Sequence, residues 1–566
     1  MLCVLMAIVP AMMHQDQGSA TGKKSAVLAI LSAAMFIYVI DTTIMNVSIS
    51  ALVEDLGTTV GQVQAAITLY TLTMAAFMLT GGKLGDIWGS KRAFRIGLVI
   101  YGIGTAITAL APTIGFVILG WSILEGLGSA LIVPAINTLV RANFTGTKRA
   151  SAYGTLFGVA AAGAAFGPLI GGWLTANLSW RYAFAGEAVI VVVVLLTSGL
   201  LIDAPAVIPK PKLDLVGVVL SAVGLGLFVF GVLQTGSYGW SDPVVVSLIL
   251  GGLVVLGAFV WWVRRQEALG APALLHPSIF RHKAISAGLP ILSTQTFAQA
   301  GLLFLIPLFT QSVLGFDAFQ TGLTLLPLSI GVLLTSTLTP PLGRKIYPKY
   351  IVQTGLVLLF IGGYVLAMSL DGATRGIDMA LGLFIGGVAI GLVAGQLPNM
   401  ILSGVGQDEA SEASGLQGTA QNLGMALGTA VIGTVILSVA LSSLVNQVEA
   451  SPIIPDEVSD EISEVIQRPL NEADADQLDA DLAALPQEQQ DELKKIYATG
   501  TLRGFQGAII VGGIVALFGA LLAIRLPKKK LDSDSSVETT IEQVVRNPTL
   551  PGLQLEMDDL SSGPEH

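Results

Sequence analysis

The sequence predicts an all-α integral membrane protein with fourteen transmembrane helices. Its 566 residues are 53% hydrophobic and only 12% charged, and 65 of them are glycine. Soluble domains carry roughly 25% charged residues, so this composition argues against an ordinary soluble protein. Long apolar segments recur along the chain, and basic residues concentrate in alternate loops between them. Composition, segment length and loop charge therefore agree on one fold class.

Fourteen apolar segments are long enough to cross about 30 Å of hydrocarbon as helices. Because backbone groups in lipid must be satisfied internally, we expect helices and not isolated strands. The predicted spans are 25–49, 62–82, 93–111, 113–138, 150–173, 183–202, 214–234, 243–263, 286–310, 319–341, 350–369, 377–399, 414–441 and 503–525.

The distribution of Lys and Arg predicts the orientation of these helices. One set of alternating loops holds most of them, together with the segments before the first span and after the last. The opposite loops hold Arg181, Arg375 and a few bases in the long loop before the last span. Basic loops stay in the cytoplasm, so both termini are expected there, as an even number of spans requires.

The chain divides into six helices, two helices and six helices. Polar, proline-containing joins, LIDAPAVIPKPKLD and RRQEALGAPALLHPSIFRHK, separate these groups. We expect a cytoplasmic segment at 1–24, a six-helix bundle at 25–203, a linker with two extra helices at 204–285 and a second six-helix bundle at 286–526. The halves resemble each other weakly, for example in GVAAAGAAFGPLIGG and NLGMALGTAVIGT, which predicts pseudo-two-fold symmetry around a central site.

Three segments lie outside the predicted bundles. The first residues, MLCVLMAIVPAMM, are short and lack a basic n-region, which argues against a signal peptide, and translation that begins near Met13 explains them as well. The acidic loop at 445–502 is expected to be extracellular and to form short amphipathic helices, either as a solvated cap or as an attractor for cationic solutes or partners. Residues 527–566 are polar and predicted to be a disordered cytoplasmic tail.

The strongest local motif is GGKLGDIWGSKR, at the end of the second span. It resembles the signature loop of the major facilitator superfamily, Gly-x-Leu-Ala/Gly-Asp-x-x-Gly-x-Lys/Arg-Arg. The resemblance implies a conformational gating role, with a static loop anchor as the alternative. The matching residues are Gly82, Asp86, Gly89, Lys91 and Arg92.

A second motif, GAAFGPLIGG in the fifth span, resembles the antiporter motif of the same family, Gly-x-x-x-Gly-Pro-x-x-Gly-Gly. In the family this motif accompanies exporters, whereas simple small-residue packing is the alternative. The matching residues are Gly163, Gly167, Pro168, Gly171 and Gly172.

A third motif, IDTTIMNV in the first span, resembles the Leu-Asp-x-Thr-Ile-Val-Asn-Val motif of the fourteen-helix drug:proton antiporter branch. It contains Asp41, a carboxylate inside an apolar helix. In the fourth span the chain departs from the family, because Ser122 stands at an arginine position and Glu125 at a glutamine position. After the fifth span, Glu187 lies near an asparagine position.

Asp41, which matches the motif, and Glu125 and Glu187, which depart from the family pattern, are the candidate proton-coupling and substrate-binding residues. An ionised side chain at the bilayer centre costs roughly 2.5–3.5 kcal/mol, and burial together with mutual repulsion favours the protonated form. A carboxyl group that releases its proton when a cation arrives supplies the minimal chemistry of an exchanger. Structural hydrogen bonds, or access to water at the outer end for Glu187, are the alternatives.

Other polar and aromatic residues are candidates to line a substrate path. Gln295 and Gln299 are four apart and share one helix face. Helix–helix hydrogen bonds or packing are the alternative for the whole set. Its members are Asn46, Tyr70, Trp121, Gln295, Gln299, Gln396 and Gln421.

The sequence therefore predicts a monomeric, multi-pass transporter of the inner or plasma membrane. It is expected to export lipophilic cationic drugs, or similar amphipathic compounds, by proton antiport and alternating access. Export of a lipid or metabolite is the alternative, and a non-transporting sensor a distant one. The sequence contains no phosphate loop, metal-spaced histidine cluster or nucleophile elbow, so no cofactor, metal site, nucleic-acid partner or enzymatic activity is expected.

Overall fold

The computed structural model describes residues 20–203, 212–372, 375–405, 409–454 and 486–528, and within these ranges it contains helices and no strands. Helices cover all fourteen predicted spans, which confirms the fold class. They are α1 (Ala20–Val47), α2 (Val60–Trp88), α3 (Ser90–Ala109), α4 (Ile114–Asn143), α5 (Gly146–Asn177), α6 (Arg181–Thr197), α7 (Leu215–Tyr238), α8 (Pro243–Ala268), α9 (Lys283–Ser312), α10 (Ala318–Thr324 and Leu326–Lys345), α11 (Pro348–Ser369), α12 (Gly376–Ser403), α13 (Ala410–Glu449) and α14 (Gln487–Leu522).

Twelve helices of the described chain are long and apolar enough to cross a membrane by themselves. A thirteenth, α10, qualifies if its two pieces, which are bent by 42°, form one span. The bend lies beside Pro327, whose ring lacks an amide donor and disturbs the preceding turn. The remaining predicted span, α3, is helical but begins with basic residues, Lys91, Arg92 and Arg95, that lower its mean hydropathy.

The helices pack as two groups. Within α1–α6 the main pairs are α1–α5, α2–α4 and α3–α4, and within α9–α14 they are α9–α13, α11–α12 and α13–α14. The groups meet mainly where α2 packs along α13 and where α5 packs along α10. The exact domain boundaries given above stay a prediction, although this packing is compatible with them.

The two extra helices have different environments. α7 packs on α8 and also along the contact between α2 and α13. There Leu225 and Val229 join Leu72 and Ala426 in one apolar cluster, and the Thr235 hydroxyl donates to that of Thr434. α8 is mostly exposed, with only 11% of its span buried. Thus α7 bridges the two groups on one side of the molecule.

Several sequence predictions fall outside the described residues. The apolar start at 1–13, most of the acidic loop at 445–502 and most of the tail at 527–566 are among them. Their expected structures stay predictions.

Candidate acid cluster and gating contacts

The three candidate carboxyl groups converge inside the first helix group. Asp41 lies on α1, Glu125 on α4 and Glu187 on α6, and their exposed fractions are 1%, 0% and 4%. One carboxylate oxygen of each lies within 4.8 Å of one oxygen of both others. We call these residues the acid cluster. Glu187 is buried, so the alternative that it simply reaches water at the outer end does not describe this structure.

A local irregularity of α4 supports this convergence. Residues Ile118–Glu125 form a π-helical stretch that carries Trp121 and Glu125, and such wider turns are frequent at functional sites. The stretch passes close to α3 at two glycines. A Cβ atom on Gly104 would lie 2.8 Å from the Glu125 Cγ, and one on Gly120 would lie 2.7 Å from the Gly104 carbonyl oxygen. Any side chain at either glycine would push Glu125 away from α3.

Asp41 is hydrogen-bonded to one member of a stacked aromatic pair. The Trp121 indole N–H donates to the Asp41 Oδ1 over 2.8 Å. The Tyr70 and Trp121 rings are stacked, with centroids 4.7 Å apart and planes inclined by 10°. The second carboxylate oxygen of Asp41, Oδ2, is buried and has no hydrogen-bond partner.

The two glutamates have longer contacts, both to hydroxyl groups. The Thr108 Oγ1 lies 3.3 Å from the Glu125 Oε1, and the Tyr101 hydroxyl lies 3.4 Å from the Glu187 Oε2. The second oxygen of Glu125, Oε2, is buried without a hydrogen-bond partner. Every donor found here is neutral.

No buried base offsets the acid cluster in the part of the chain that the structure describes. The one buried basic side chain there is Lys349, on α11 in the other helix group. Ser122, at the position of the family arginine, is fully buried and donates to the Ala66 carbonyl oxygen over 2.8 Å, so it joins α4 to α2. The three carboxyl oxygens are also close enough to surround a metal ion, and the expected absence of a metal site stays a prediction.

The remaining candidate lining residues lie elsewhere. Asn46 donates to the Thr42 carbonyl oxygen within α1, and the Gln295 amide donates to that of Gln299 over 2.7 Å, which confirms their shared face. Gln396 donates across to the Thr339 carbonyl oxygen and so joins α12 to α10. Among the described contacts, these amides and the half-buried Gln421 make no hydrogen bond to the acid cluster.

The signature-loop aspartate connects the two helix groups at the predicted cytoplasmic end. The Ser411 hydroxyl, in the first turn of α13, lies 3.3 Å from both carboxylate oxygens of Asp86. A Cβ atom on Gly82 would lie 3.9 Å from the Ser411 carbonyl oxygen, so that glycine faces the same contact. Nothing in the motif itself indicated Ser411 as the partner.

The rest of the signature loop anchors α3 to the end of α6. Gly89 has φ of 93°, and a Cβ atom there would lie 2.6 Å from the Asp203 Oδ2. The Lys91 backbone N–H donates to the Asp203 Oδ1 over 2.9 Å, and the Lys91 ammonium group donates to the Leu201 carbonyl oxygen over 2.6 Å. Arg92 is exposed. The loop therefore combines a link between groups, through Asp86, with a static anchor.

Two His–Glu pairs lie at the same end of α13. The His276 Nδ1 lies 2.9 Å from the Glu412 Oε2, and the His276 backbone N–H donates to the other oxygen of that carboxylate. The His282 Nε2 lies 3.0 Å from the Glu409 Oε2. Both histidines belong to the join between α8 and α9, so this join is attached next to the Asp86–Ser411 contact. No sequence motif indicated these pairs.

The antiporter motif of α5 packs on two helices. Gly163, Gly167 and Gly171 face α1, where a Cβ atom on Gly171 would lie 3.0 Å from the Ile44 Cα. Gly172 faces α10, where a Cβ atom would overlap the Ala318 carbonyl oxygen. Pro168, in the same motif, directs its carbonyl toward Gly322 of α10. The motif thus joins the helix that bears Asp41 to the opposite helix group.

The groups also touch at the predicted outer end. The Gln311 amide donates to the Val47 carbonyl oxygen over 2.9 Å and accepts from the Ser50 backbone N–H over 3.1 Å. Gln64 of α2 donates to the Thr429 carbonyl oxygen of α13 over 3.0 Å. Hydrogen bonds therefore join the two groups at both ends of the molecule.

Similarity to known proteins agrees with this architecture. The chain is 29% identical to the probable actinorhodin transporter of Streptomyces coelicolor, over 89% of this chain and 88% of that protein. It is 32% identical to the cephamycin export protein of Amycolatopsis lactamdurans, over 74% and 86%. It is 27% identical to the multidrug resistance protein Stp of Mycobacterium tuberculosis, over 75% and 78%.

Solved structures share the fold at low identity. A crystal structure of a bacterial homologue of the human lysosomal transporter Spinster matches with a TM-score of 0.58 and 14% identity, over 91% of this chain and 100% of that one. The family model of the Major Facilitator Superfamily matches residues 31–215 and 213–429, which is more than half of the sequence. The chain belongs to the major facilitator superfamily of membrane transporters.

Proposed function

We propose that the protein is a proton-coupled antiporter that exports lipophilic cations or similar amphipathic compounds. The observation that carries the proposal is the acid cluster, three buried carboxyl groups with no buried base beside them among the described residues. Its charge can be balanced by protons or by a cationic substrate. Competition between the two for the same carboxyl groups couples their opposite movements.

The surroundings of Asp41 suit an aromatic or cationic substrate. The Trp121 and Tyr70 rings present π faces beside a carboxylate, a combination that attracts organic cations. Similarity to proteins named as exporters or resistance proteins supports export as the direction of transport. We therefore assign Asp41 as the residue that holds the substrate charge.

Alternating access would use the contacts at the two ends of the molecule. Opening toward the cytoplasm would break the Asp86–Ser411 contact, and opening outward would break the contacts of Gln311 with α1. Among the described residues each end has only a few hydrogen bonds between the groups, each with a net value of about 0.5–1.5 kcal/mol, so breaking them is not prohibitively costly. The proposed setting is the cell membrane, with both termini in the cytoplasm and the monomer as the working unit.

Transport in proteoliposomes tests the proposal. Purified protein is reconstituted, a pH gradient is imposed, and the accumulation of lipophilic monocations and dications is followed. One pH unit supplies about 1.4 kcal/mol per proton. One-for-one exchange therefore sustains about a tenfold concentration ratio of a substrate that starts at equal concentrations on the two sides of the membrane. Accumulation that is the same with and without the gradient would contradict proton coupling.

Export of a lipid or metabolite is the second candidate. The feature that bears on it is a small apolar cleft between α9, α11, α13 and α14, whose lining includes Leu302, Leu305, Leu359 and Ile432 and which would have to widen to admit an acyl chain. Mass spectrometry of the purified protein distinguishes the candidates. A retained acyl-chain lipid that competes with transport would favour this second function.

A further inference from the structure

The first turn of α13 is held by the join between α8 and α9. Among the described contacts, its N-cap residue, Glu409, makes no capping hydrogen bond from its side chain to the helix that begins at Ala410. Instead, the His276 backbone N–H and the His276 ring both contact the Glu412 carboxylate, at 2.6 and 2.9 Å. The His282 ring lies 3.0 Å from the Glu409 carboxylate. The position of this turn therefore depends on the join.

The join is itself bonded to the two extra helices. The buried Asp214 carboxylate, just before α7, accepts from the Leu274 backbone N–H over 3.1 Å and from the Trp262 indole N–H over 2.9 Å. Glu267, near the end of α8, accepts from the Ser278 backbone N–H over 3.1 Å. These bonds hold the join in place, so it acts as a fixed support for the start of α13.

Ser411 lies between the two paired glutamates in the sequence. Its hydroxyl contacts Asp86 of the first helix group at 3.3 Å. Because Glu409, Ser411 and Glu412 belong to one turn of helix, bonds that fix the glutamates also fix the Ser411 hydroxyl. Fraying of this turn would remove the contact between the helix groups. The His–Glu pairs therefore support the cytoplasmic contact without being part of it.

The charge of these pairs depends on pH, because histidine is the side chain that titrates near neutral pH. The structure describes two of the four histidines, and both are paired with glutamates at this one helix end. The side chains of His276 and His282 are 44% and 37% exposed, so protons from the predicted cytoplasmic side reach them. A protonated imidazole binds a carboxylate through a stronger, charge-assisted hydrogen bond. The pairs thus strengthen as the cytoplasmic pH falls.

The other charged groups near the pairs are of both signs. Glu267 binds the backbone two residues beyond His276, and Asp86 lies at Ser411, beside Glu412. Lys83 precedes Asp86 by about one turn of α2, and two further bases flank His282 in the sequence. Among the described residues the carboxylates outnumber the bases, so the surroundings as a whole attract positive charge. The carboxylates are Asp86, Glu267, Glu409 and Glu412, and the bases are Lys83, Arg281 and Lys283.

We propose that His276 and His282 are positioning residues that make the cytoplasmic closure sensitive to cytoplasmic pH. In acid, the charged pairs hold the first turn of α13 and keep Ser411 against Asp86. At about pH 8 the uncharged pairs are weaker, and the cytoplasmic end opens more readily. The proposal rests on the proposed alternating access and not on the export of cations. In a transporter that admits protons to the cytoplasm, this arrangement would slow the cycle once the cytoplasm becomes acid.

Distances across the cytoplasmic end test the proposal. Spin labels are attached at Lys148→Cys, near the start of α5, and at Lys345→Cys, at the end of α10, after the single native cysteine is removed by Cys3→Ser. Both lysines are exposed, and they belong to different helix groups. Distance distributions are recorded in nanodiscs from about pH 5.5 to about pH 8. With intact pairs, we expect the ratio of closed to open molecules to rise about two- to tenfold as the pH falls, since each exposed pair is of modest strength.

Glutamine variants isolate the contribution of the histidine charge. His276→Gln/His282→Gln keeps side-chain donors for the glutamates but cannot gain a proton, so most of the rise should disappear. Glu409→Gln/Glu412→Gln removes the other half of each pair and should give the same reduced rise. The control is Glu54→Gln, at an exposed carboxylate of the predicted outer end, which should leave the profile unchanged. The same pH profile in the unaltered protein and in both double variants would overturn the proposal.

The outcomes separate this inference from the proposed function. If transport does not respond to a pH gradient while the distances show the expected dependence on the histidines, antiport fails and the histidine proposal stands. If transport is driven by the gradient but the histidine variants keep the full rise, antiport stands and the histidine proposal fails. Where a double variant does not fold, the single variants His276→Gln and His282→Gln decide, each expected to remove about half of the rise.

Discussion

Replacing Asp41 by asparagine is the most direct test of the acid cluster. Asparagine keeps an acceptor for the Trp121 N–H, so the local fold is expected to persist. Its amide donors have no assured partner, which costs about 1–3 kcal/mol of the free energy of unfolding at most. Two carboxylates at 4.8 Å, the upper limit of the separation in the acid cluster, repel by about 3.5 kcal/mol at an effective dielectric constant near 20, and the substitution removes this repulsion wherever a neighbour is ionised.

The effect on transport should be much larger than the effect on stability. With a gradient of one pH unit, one exchanged proton sustains about a tenfold accumulation of substrate. Without the carboxylate that holds the substrate charge, we expect Asp41→Asn to reduce this ratio to about one. The measurement is dye accumulation in proteoliposomes, paired with thermal unfolding followed by tryptophan fluorescence. Full accumulation with the normal pH dependence would refute the role of Asp41.

Two further variants complete this test. Glu54→Gln removes an exposed carboxylate from the same part of the chain, just after α1, and this variant is expected to transport normally. The double variant Asp41→Asn/Glu125→Gln is expected to be non-additive in the pH dependence of binding, because close titrating groups act as a unit. Strict additivity would indicate that the two carboxyl groups titrate independently.

Three other predictions follow from single contacts. Gly172→Ala is expected to reduce transport several-fold by preventing close packing of α5 on α10, whereas Gly158→Ala, on the same helix with open space around it, should have no effect; flux in proteoliposomes decides. Gly89→Ala should lower the free energy of unfolding by about 1–3 kcal/mol, because any residue with a side chain is strained at the Gly89 φ of 93°. The control in thermal unfolding is Gly85→Ala, since a Cβ atom on Gly85 would have no atom within 4 Å. Ser411→Ala removes a hydrogen bond worth about 0.5–1.5 kcal/mol from the cytoplasmic closure, so spin-label distances across that end should show a larger open fraction, and an unchanged distribution would contradict the gating role.

The helices were predictable from the sequence because their signals are local. A segment of about 20 apolar residues has few alternatives to a membrane helix, and this holds for each span separately. Even the weakest predicted span, α3, is helical although its first turns are basic. The bend of α10 has a local cause as well, since Pro327 marks it in the sequence.

The candidate site was predictable only in part. Each acid is conspicuous in an apolar helix, but their convergence depends on how α1, α3, α4 and α6 pack. The π-helical stretch that carries Glu125, and the approach of α3 at Gly104, have no sequence signature that we could identify. The hydroxyl partners Thr108 and Tyr101 are ordinary residues until their hydrogen bonds are known.

Contacts between the two helix groups were the least predictable feature. Asp86 and its partner Ser411 are 325 residues apart, and His276 and Glu412 are 136 apart. Gly82 is the glycine that matches the signature motif, yet its neighbour Gly81 makes the tighter approach, to the Ala130 carbonyl oxygen. A shift of one residue turns a helical side chain by about 100°, which pattern reasoning resolves poorly.

The antiporter motif gives a physical route from the acid cluster to the opposite helix group. Gly171 and Gly172 are consecutive, so they face directions about 100° apart, one toward α1 beside Ile44 and the other toward α10 at Ala318. Neither contact leaves room for a side chain, so α5 cannot slide past one neighbour without disturbing the other. A change in the charge of Asp41 that shifts α1 would therefore act on the α5–α10 contact. If this mechanical link is real, Gly172→Ala should impair transport while leaving the proton release that substrate binding causes at the acid cluster intact.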